Sequence, residues 1–213
     1  MIQSHPWISI ILIGLAVRPV VVLLHLLGHA IVAIATTRQK TSIYLGSYGD
    51  QEKSARVTIG LLEIWFTVSP FLWQTGVCVP TDKIVMKFDQ KLSYILAGPF
   101  VPVVVSGVAL LAMAVAGFNE YLLVVMQVLF TVSVFDLFVN FIPRDWPVFS
   151  DGYSLKLLLT RKKYPTEFFV GIDEFSKHEY AAAAKQFEKA AKKMPDKKNI
   201  HSFYLKAKEL ARS

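Results

Sequence analysis

His25 and His29 are the residues of this chain best placed to do chemistry. Four apart on a helix, two imidazoles share one face and can both meet a single metal ion. They sit inside an apolar run that starts near Pro6 and is too long for a soluble helix. Ionisable groups at membrane depth are costly, so each needs a physical reason. Arg18, His25 and His29 follow one another at spacings of seven and four, within about 40° of one helical stripe. Asp136 and Asn140, four apart in a later apolar segment, form a matching stripe. The plain alternative for membrane histidines is interhelical hydrogen bonding. Zinc asks for a third protein ligand, and the best candidate is Asp151 in Ser150-Asp151-Gly152, where the chain leaves the last apolar segment. The commonplace role for Asp151 is an Asp-Gly turn, or an N-cap for a helix beginning near Tyr153.

The elements that must position these residues are membrane spans. The 213 residues are 54% hydrophobic, and the mean hydropathy is +0.44, well above a soluble domain. Three segments are long enough to cross a bilayer: residues 6–36, 93–117 and 121–142. Phe118, Asn119 and Glu120 separate the last two, which predicts an antiparallel helical hairpin. Counted at 1.5 Å per residue from the outer ends, Arg18 lies ~18 Å deep, Asp136 ~22 Å, and His25 and Asn140 both ~28 Å. An Arg18–Asp136 pair is therefore expected, with a polar layer of His25, His29 and Asn140 beyond it.

Charge sets the expected orientation. Arg38, Lys40, Lys53, Arg56, Lys83, Lys87 and Lys91 lie between the first and second spans, whereas the N-terminal flank and the hairpin turn carry no Lys or Arg. Positive-inside bias then puts the N-terminus outside, with residues 37–92 and the C-terminal tail in the cytoplasm. The net charge of +7 is accounted for by these loops and the tail, so no nucleic-acid partner is called for. A start without a basic leader and with so long an apolar run does not read as a signal peptide. Cys78 is the single cysteine, which excludes an internal disulfide and reads as a buried small residue.

Within the 37–92 loop, residues 41–45 and 56–60 read as short strands, with Gly46, Gly49 and Asp50 as turn residues between them. Residues 61–68 are apolar enough for a β-hairpin dipping to the membrane interface, and they carry one carboxylate, Glu63. From Phe149 the chain turns soluble. Tyr180, Ala183, Phe187, Ala190 and Pro195 have the spacing of the second half of a tetratricopeptide repeat. Phe168, Phe169, Ile172 and Phe175 supply the stripe of its first helix, and residues 199–212 a closing helix. The expected architecture is mostly α. It has a membrane-embedded three-helix core with a small β-containing cytoplasmic loop over residues 1–160, and a soluble helical tail over 161–213.

Several separated motifs, in order, make the chain resemble the site-2 protease family of zinc intramembrane metalloproteases. His25-Leu26-Leu27-Gly28-His29-Ala30 resembles the family's H-E-L-G-H-A, and Ala97-Gly98-Pro99 its A-G-P motif. Asn140-Phe141-Ile142-Pro143 followed by Ser150-Asp151-Gly152 resembles its N-x-x-P…D-G motif. The likeness covers about residues 6–160. It implies zinc held by His25, His29 and Asp151, Asn140 as a candidate for stabilising an oxyanion, and cleavage of transmembrane protein substrates near the cytoplasmic face.

The departure is Leu26, which stands where the family's motif has its glutamate. In such a hydrolase zinc acidifies a bound water, and the glutamate takes that proton and later delivers it to the leaving amine. Leucine can do neither, and Glu63 is a remote substitute. Three functions stay open on the sequence: a zinc metalloprotease lacking its general base, a pseudoprotease that binds transmembrane clients while its tail recruits a protein partner, or a lipid-embedded scaffold with structural histidines. Gly98, Gly107 and Gly117 read as close helix packing, with Pro99 and Pro102 bending the first turn of the second span.

Overall fold

The computed structural model describes residues 6–46, 54–80, 86–144, 150–160 and 164–212. Gly49, Asp50, Lys53, Lys83 and Phe149, invoked above, lie outside them. Among the described residues the chain forms seven α-helices and a small mixed sheet, in two compact units that divide between Ile142 and Pro143.

The first unit holds α1 (Pro6–Thr37), α2 (Phe88–Val115) and α3 (Glu120–Phe141), all three long and apolar enough to cross a membrane. Their apolar side chains mostly face outward, as at Ile11, Leu12, Val108, Leu111, Phe135 and Phe138, which suits a hydrocarbon surrounding. The first and third spans follow the sequence expectation. The second begins five residues before Ser93, at Phe88 (93 − 88 = 5), because Lys87 N–H donates to the Gln90 side chain and starts the helix early. Gln90 in turn donates to the Thr36 carbonyl, tying the start of α2 to the end of α1. Pro99 and Pro102 consequently lie about three and four turns inside α2 rather than in its first turn. Both are buried, and Ser106 Oγ–H donates to the Pro102 carbonyl at 2.6 Å. Close approach of α1 and α2 depends on Gly28, where a Cβ would overlap the Ala97 carbonyl.

Four strands fill the segment between α1 and α2: β1 (Thr41–Leu45), β2 (Ser54–Ile59), β3 (Leu62–Thr67) and β4 (Gly76–Pro80). Their order is β2-β3-β1-β4. The two strands read from sequence are present, but they do not pair with each other. β1 runs parallel to β3 (Thr41 opposite Leu62) and antiparallel to β4, while β2 and β3 form the hairpin. The hairpin turns at Gly60, whose φ of 58° suits the first central position of a two-residue turn. Residues 61–68, expected as one hairpin, thus supply a single strand, and β1 is central because both its edges are paired. Ile43 and Leu45 of β1, with Cys78 of β4, pack on Leu26 and Ala30 of α1. Tyr94 O–H donates to the Cys78 carbonyl, fastening α2 to β4.

The second unit holds α4 (Asp151–Leu159), α5 (Thr166–Ser176), α6 (Tyr180–Lys193) and α7 (Lys198–Leu210). Its core is aromatic: Phe168, Phe175, Phe187 and Phe203 meet around Ala183, Ala190, Ile200 and Ala207. Gly171 gives room to the Phe187 ring.

Glu63 shows why β3 tolerates a buried carboxylate. Lys40 Nζ lies 2.8 Å from one oxygen, Ser42 O–H donates to the other at 3.3 Å, and Arg56 stands 3.8 Å away. The Lys40 hydrogen bond, aided by the Lys40 charge, Ser42 and Arg56, holds the Glu63 carboxyl below its usual range against the opposing effect of burial. A carboxyl depressed on folding stabilises the protein above its unfolded pKa of ~4.3, and that stability is lost as pH falls through the native value. Thermal unfolding of the full chain in detergent, scanned from pH 7 to pH 3, should therefore show a weaker acid loss in Glu63→Gln than in the wild type. The variant should also melt lower at pH 7. Identical pH profiles would remove Glu63 from the stabilising network.

Candidate metal centre

α1 carries both histidines toward α2 and α3. His29 is buried, and its Nδ1–H donates to the Tyr94 backbone carbonyl of α2 at 2.7 Å. Its ring lies against the Tyr94 ring at 4.6 Å between centroids. The space for that imidazole is made by Gly98, where a Cβ would overlap His29 Nε2. The sequence reads Gly98 as general helix packing; its more specific contribution is room for the His29 ring. The Ala97-Gly98-Pro99 motif was the available signal.

His25 lies one turn earlier. Its Nδ1 is 3.5 Å from Asp136 Oδ2 on α3, and its Nε2 is 3.1 Å from His29 Nε2. The partners assign the tautomers. A carbonyl only accepts, so His29 carries its proton on Nδ1. Asp136 also faces Arg18, with Nη1 3.6 Å from Oδ1, and its negative charge 3.5 Å from His25 Nδ1, a proximity without hydrogen-bond geometry, favours the His25 proton on that nitrogen. In the neutral pair both Nε2 atoms then present lone pairs to each other. Such an arrangement is satisfied by a cation shared between them, either a proton or a metal ion. Two nitrogens bound to one tetrahedral zinc at 2.0–2.1 Å stand about 3.3 Å apart. The observed separation fits.

The Arg18–Asp136 pair expected from depth is present, and Asn140 joins it by donating to Asp136 Oδ2 at 2.8 Å and to the Asp136 carbonyl at 3.0 Å. The amide of Asn140 is thus engaged within α3, and an oxyanion role would require it to turn away from Asp136. Leu26 is buried, pointing to the sheet side of α1 among Ile43, Leu45 and Cys78. Its side chain also reaches Gly76 of β4.

In the second unit Asp151 is the first residue of α4. Ser150 is the N-cap, its Oγ accepting from Tyr153 N–H at 3.2 Å and from Arg144 N–H at 2.9 Å. The helix therefore begins two residues earlier than Tyr153, and capping falls to Ser150 rather than Asp151. His25 and His29, the two expected ligands on α1, lie in the first unit, and Asp151, the expected third, lies in the second.

Gly98→Ala should push the His29 ring off its position and weaken metal binding at least ~10-fold while the helices stay assembled. Zinc affinity by chelator competition, read beside helical content, checks this; unchanged affinity would show that the ring does not need the space.

No protein-family model, curated protein or solved structure matches this chain.

Proposed function

We propose that this chain is a zinc-holding membrane protein on the site-2 protease plan, one that engages transmembrane clients but lacks the group needed to cut them. The observation that carries this reading is the convergence of the two histidine Nε2 atoms at 3.1 Å, each ring turned to an acceptor through its other nitrogen. The likeness of Ser150-Asp151-Gly152 to the family's D-G motif supports Asp151 as the third ligand. Two imidazoles and one carboxylate are the donor set of several catalytic zinc sites, and they leave a fourth position open. Zinc in such a set supplies a Lewis acid and lowers the pKa of a coordinated water to ~7.

The protein's own residues then decide whether hydrolysis follows. A proton acceptor must stand beside the first histidine, and that position is Leu26, enclosed in apolar packing. Glu63 is held by Lys40, Ser42 and Arg56. Asp136 serves Arg18, Asn140 and the Nδ1 side of His25, opposite to the nitrogen that would face the metal. General acid–base catalysis is typically worth ~10²–10⁴ in rate. With no carboxylate at the Leu26 position, a client would be bound and not cleaved.

The basic residues Arg38, Lys40, Arg56, Lys87 and Lys91 between α1 and α2 support a cytoplasmic location for the sheet, with the N-terminus outside and the tail in the cytoplasm. The exposed apolar side chains of Val68, Phe71 and Leu72, just past the end of β3, support contact of that sheet end with lipid. In the tail, the buried positions Ala183, Phe187 and Ala190 fall where a tetratricopeptide-like helix pair buries its small and aromatic residues, and such a pair would recruit a protein partner.

Restoring the carboxylate tests the reading. Leu26→Glu, reconstituted with a model single-span substrate, should cleave it in a zinc-dependent manner, and the wild type should not. Equal cleavage by both would show the chain to be a metalloprotease with another base. No cleavage by Leu26→Glu, in a variant that still binds zinc, would count against the protease plan.

A further inference from the structure

The polar network around Asp136 asks for more than an ion pair. Its side chain is buried, 8% exposed, in the body of a membrane-spanning helix, where a carboxylate persists only with partners. Pairing with Arg18 alone would best be met by a fork-to-fork contact using both oxygens. Instead the oxygens are divided. Oδ1 faces Arg18 at 3.6 Å, while Oδ2 accepts from Asn140 at 2.8 Å and lies 3.5 Å from His25 Nδ1. Arg18 and His25 are two turns apart on α1, and the carboxylate from α3 reaches both.

We infer that Asp136 is a positioning residue of the metal centre. Its charge, 3.5 Å from His25 Nδ1 and without hydrogen-bond geometry there, favours the tautomer and rotation that point Nε2 at the metal, and metal binding would draw the contact into a hydrogen bond, while Arg18 and Asn140 hold the carboxylate in that attitude. The inference rests on the metal reading above. It gives the two histidines matched supports of different kinds: a backbone carbonyl for His29 and a charged side chain for His25. A carboxylate behind a ligating imidazole raises its basicity, and loss of such a partner typically costs 10–100-fold in metal affinity. It also makes metal binding depend on how α1 and α3 sit together, because the support for a ligand on α1 comes from α3.

The test separates positioning from simple helix pairing. Zinc affinity of the full-length protein in detergent is measured by chelator competition, alongside its thermal midpoint. Asp136→Asn should bind zinc about 10–100-fold more weakly. The double swap Arg18→Asp with Asp136→Arg should recover thermal midpoint relative to either single swap, yet leave zinc affinity low, because a guanidinium cannot accept the His25 proton. Recovery of zinc affinity together with stability in the swap would reduce Asp136 to an ion-pair partner and overturn the inference. So would wild-type affinity in Asp136→Asn. Absence of zinc binding by the wild type itself, or binding indifferent to His29→Ala, would remove the metal reading and this inference with it. Intact, His29-dependent wild-type binding with an unaffected Asp136→Asn would remove the inference alone.

Discussion

Two imidazole Nε2 atoms 3.1 Å apart, on a helix long and apolar enough to cross a membrane, are the constraint on which the first unit depends. Hydrocarbon offers no water to relieve them, so every other ring nitrogen and every charge nearby must be met by protein. His29 takes a backbone carbonyl from α2, and Gly98 lacks a side chain so that the ring can sit there. His25 takes a carboxylate from α3, which in turn takes Arg18 and Asn140. The helix packing and the chemistry of the site are therefore one problem. Gly28 brings α1 and α2 close enough for the carbonyl to be reached.

Much of this layout was legible in the sequence because lipid makes the rules strict. Three apolar runs predicted three spans to within a few residues, and depth counting from their outer ends placed Arg18 opposite Asp136. What the sequence did not show was which nitrogen of each histidine faces which partner, since that depends on the rotation of α2 and α3. Tyr94 acts through its backbone carbonyl, a contribution no side-chain pattern records. Asp136 was assigned to Arg18 alone because spacing gives one partner at a time.

The sheet was harder to read. β1 and β2 had the composition of strands, but their adjacency in sequence suggested a pair, whereas β1 lies between β3 and β4. A parallel β1–β3 pairing is a non-local contact, and local patterning carries no trace of it. β4, at Gly76–Pro80, contains a glycine and a proline and gave no strand signal; it is secured by β1 on one side and by Tyr94 from α2. Leu26 gains its meaning here. Where a hydrolase would set a carboxylate, this chain sets a side chain that joins α1 to the sheet.

The central claim is that the two histidines converge on a metal ion rather than on a shared proton. Metal analysis of the full-length protein purified without added chelator tests it most directly. Close to one zinc per chain is expected, falling to background in His25→Ala and in His29→Ala while both variants keep wild-type helical content. Zinc far below one per chain in the wild type, with no change in either variant, would contradict it.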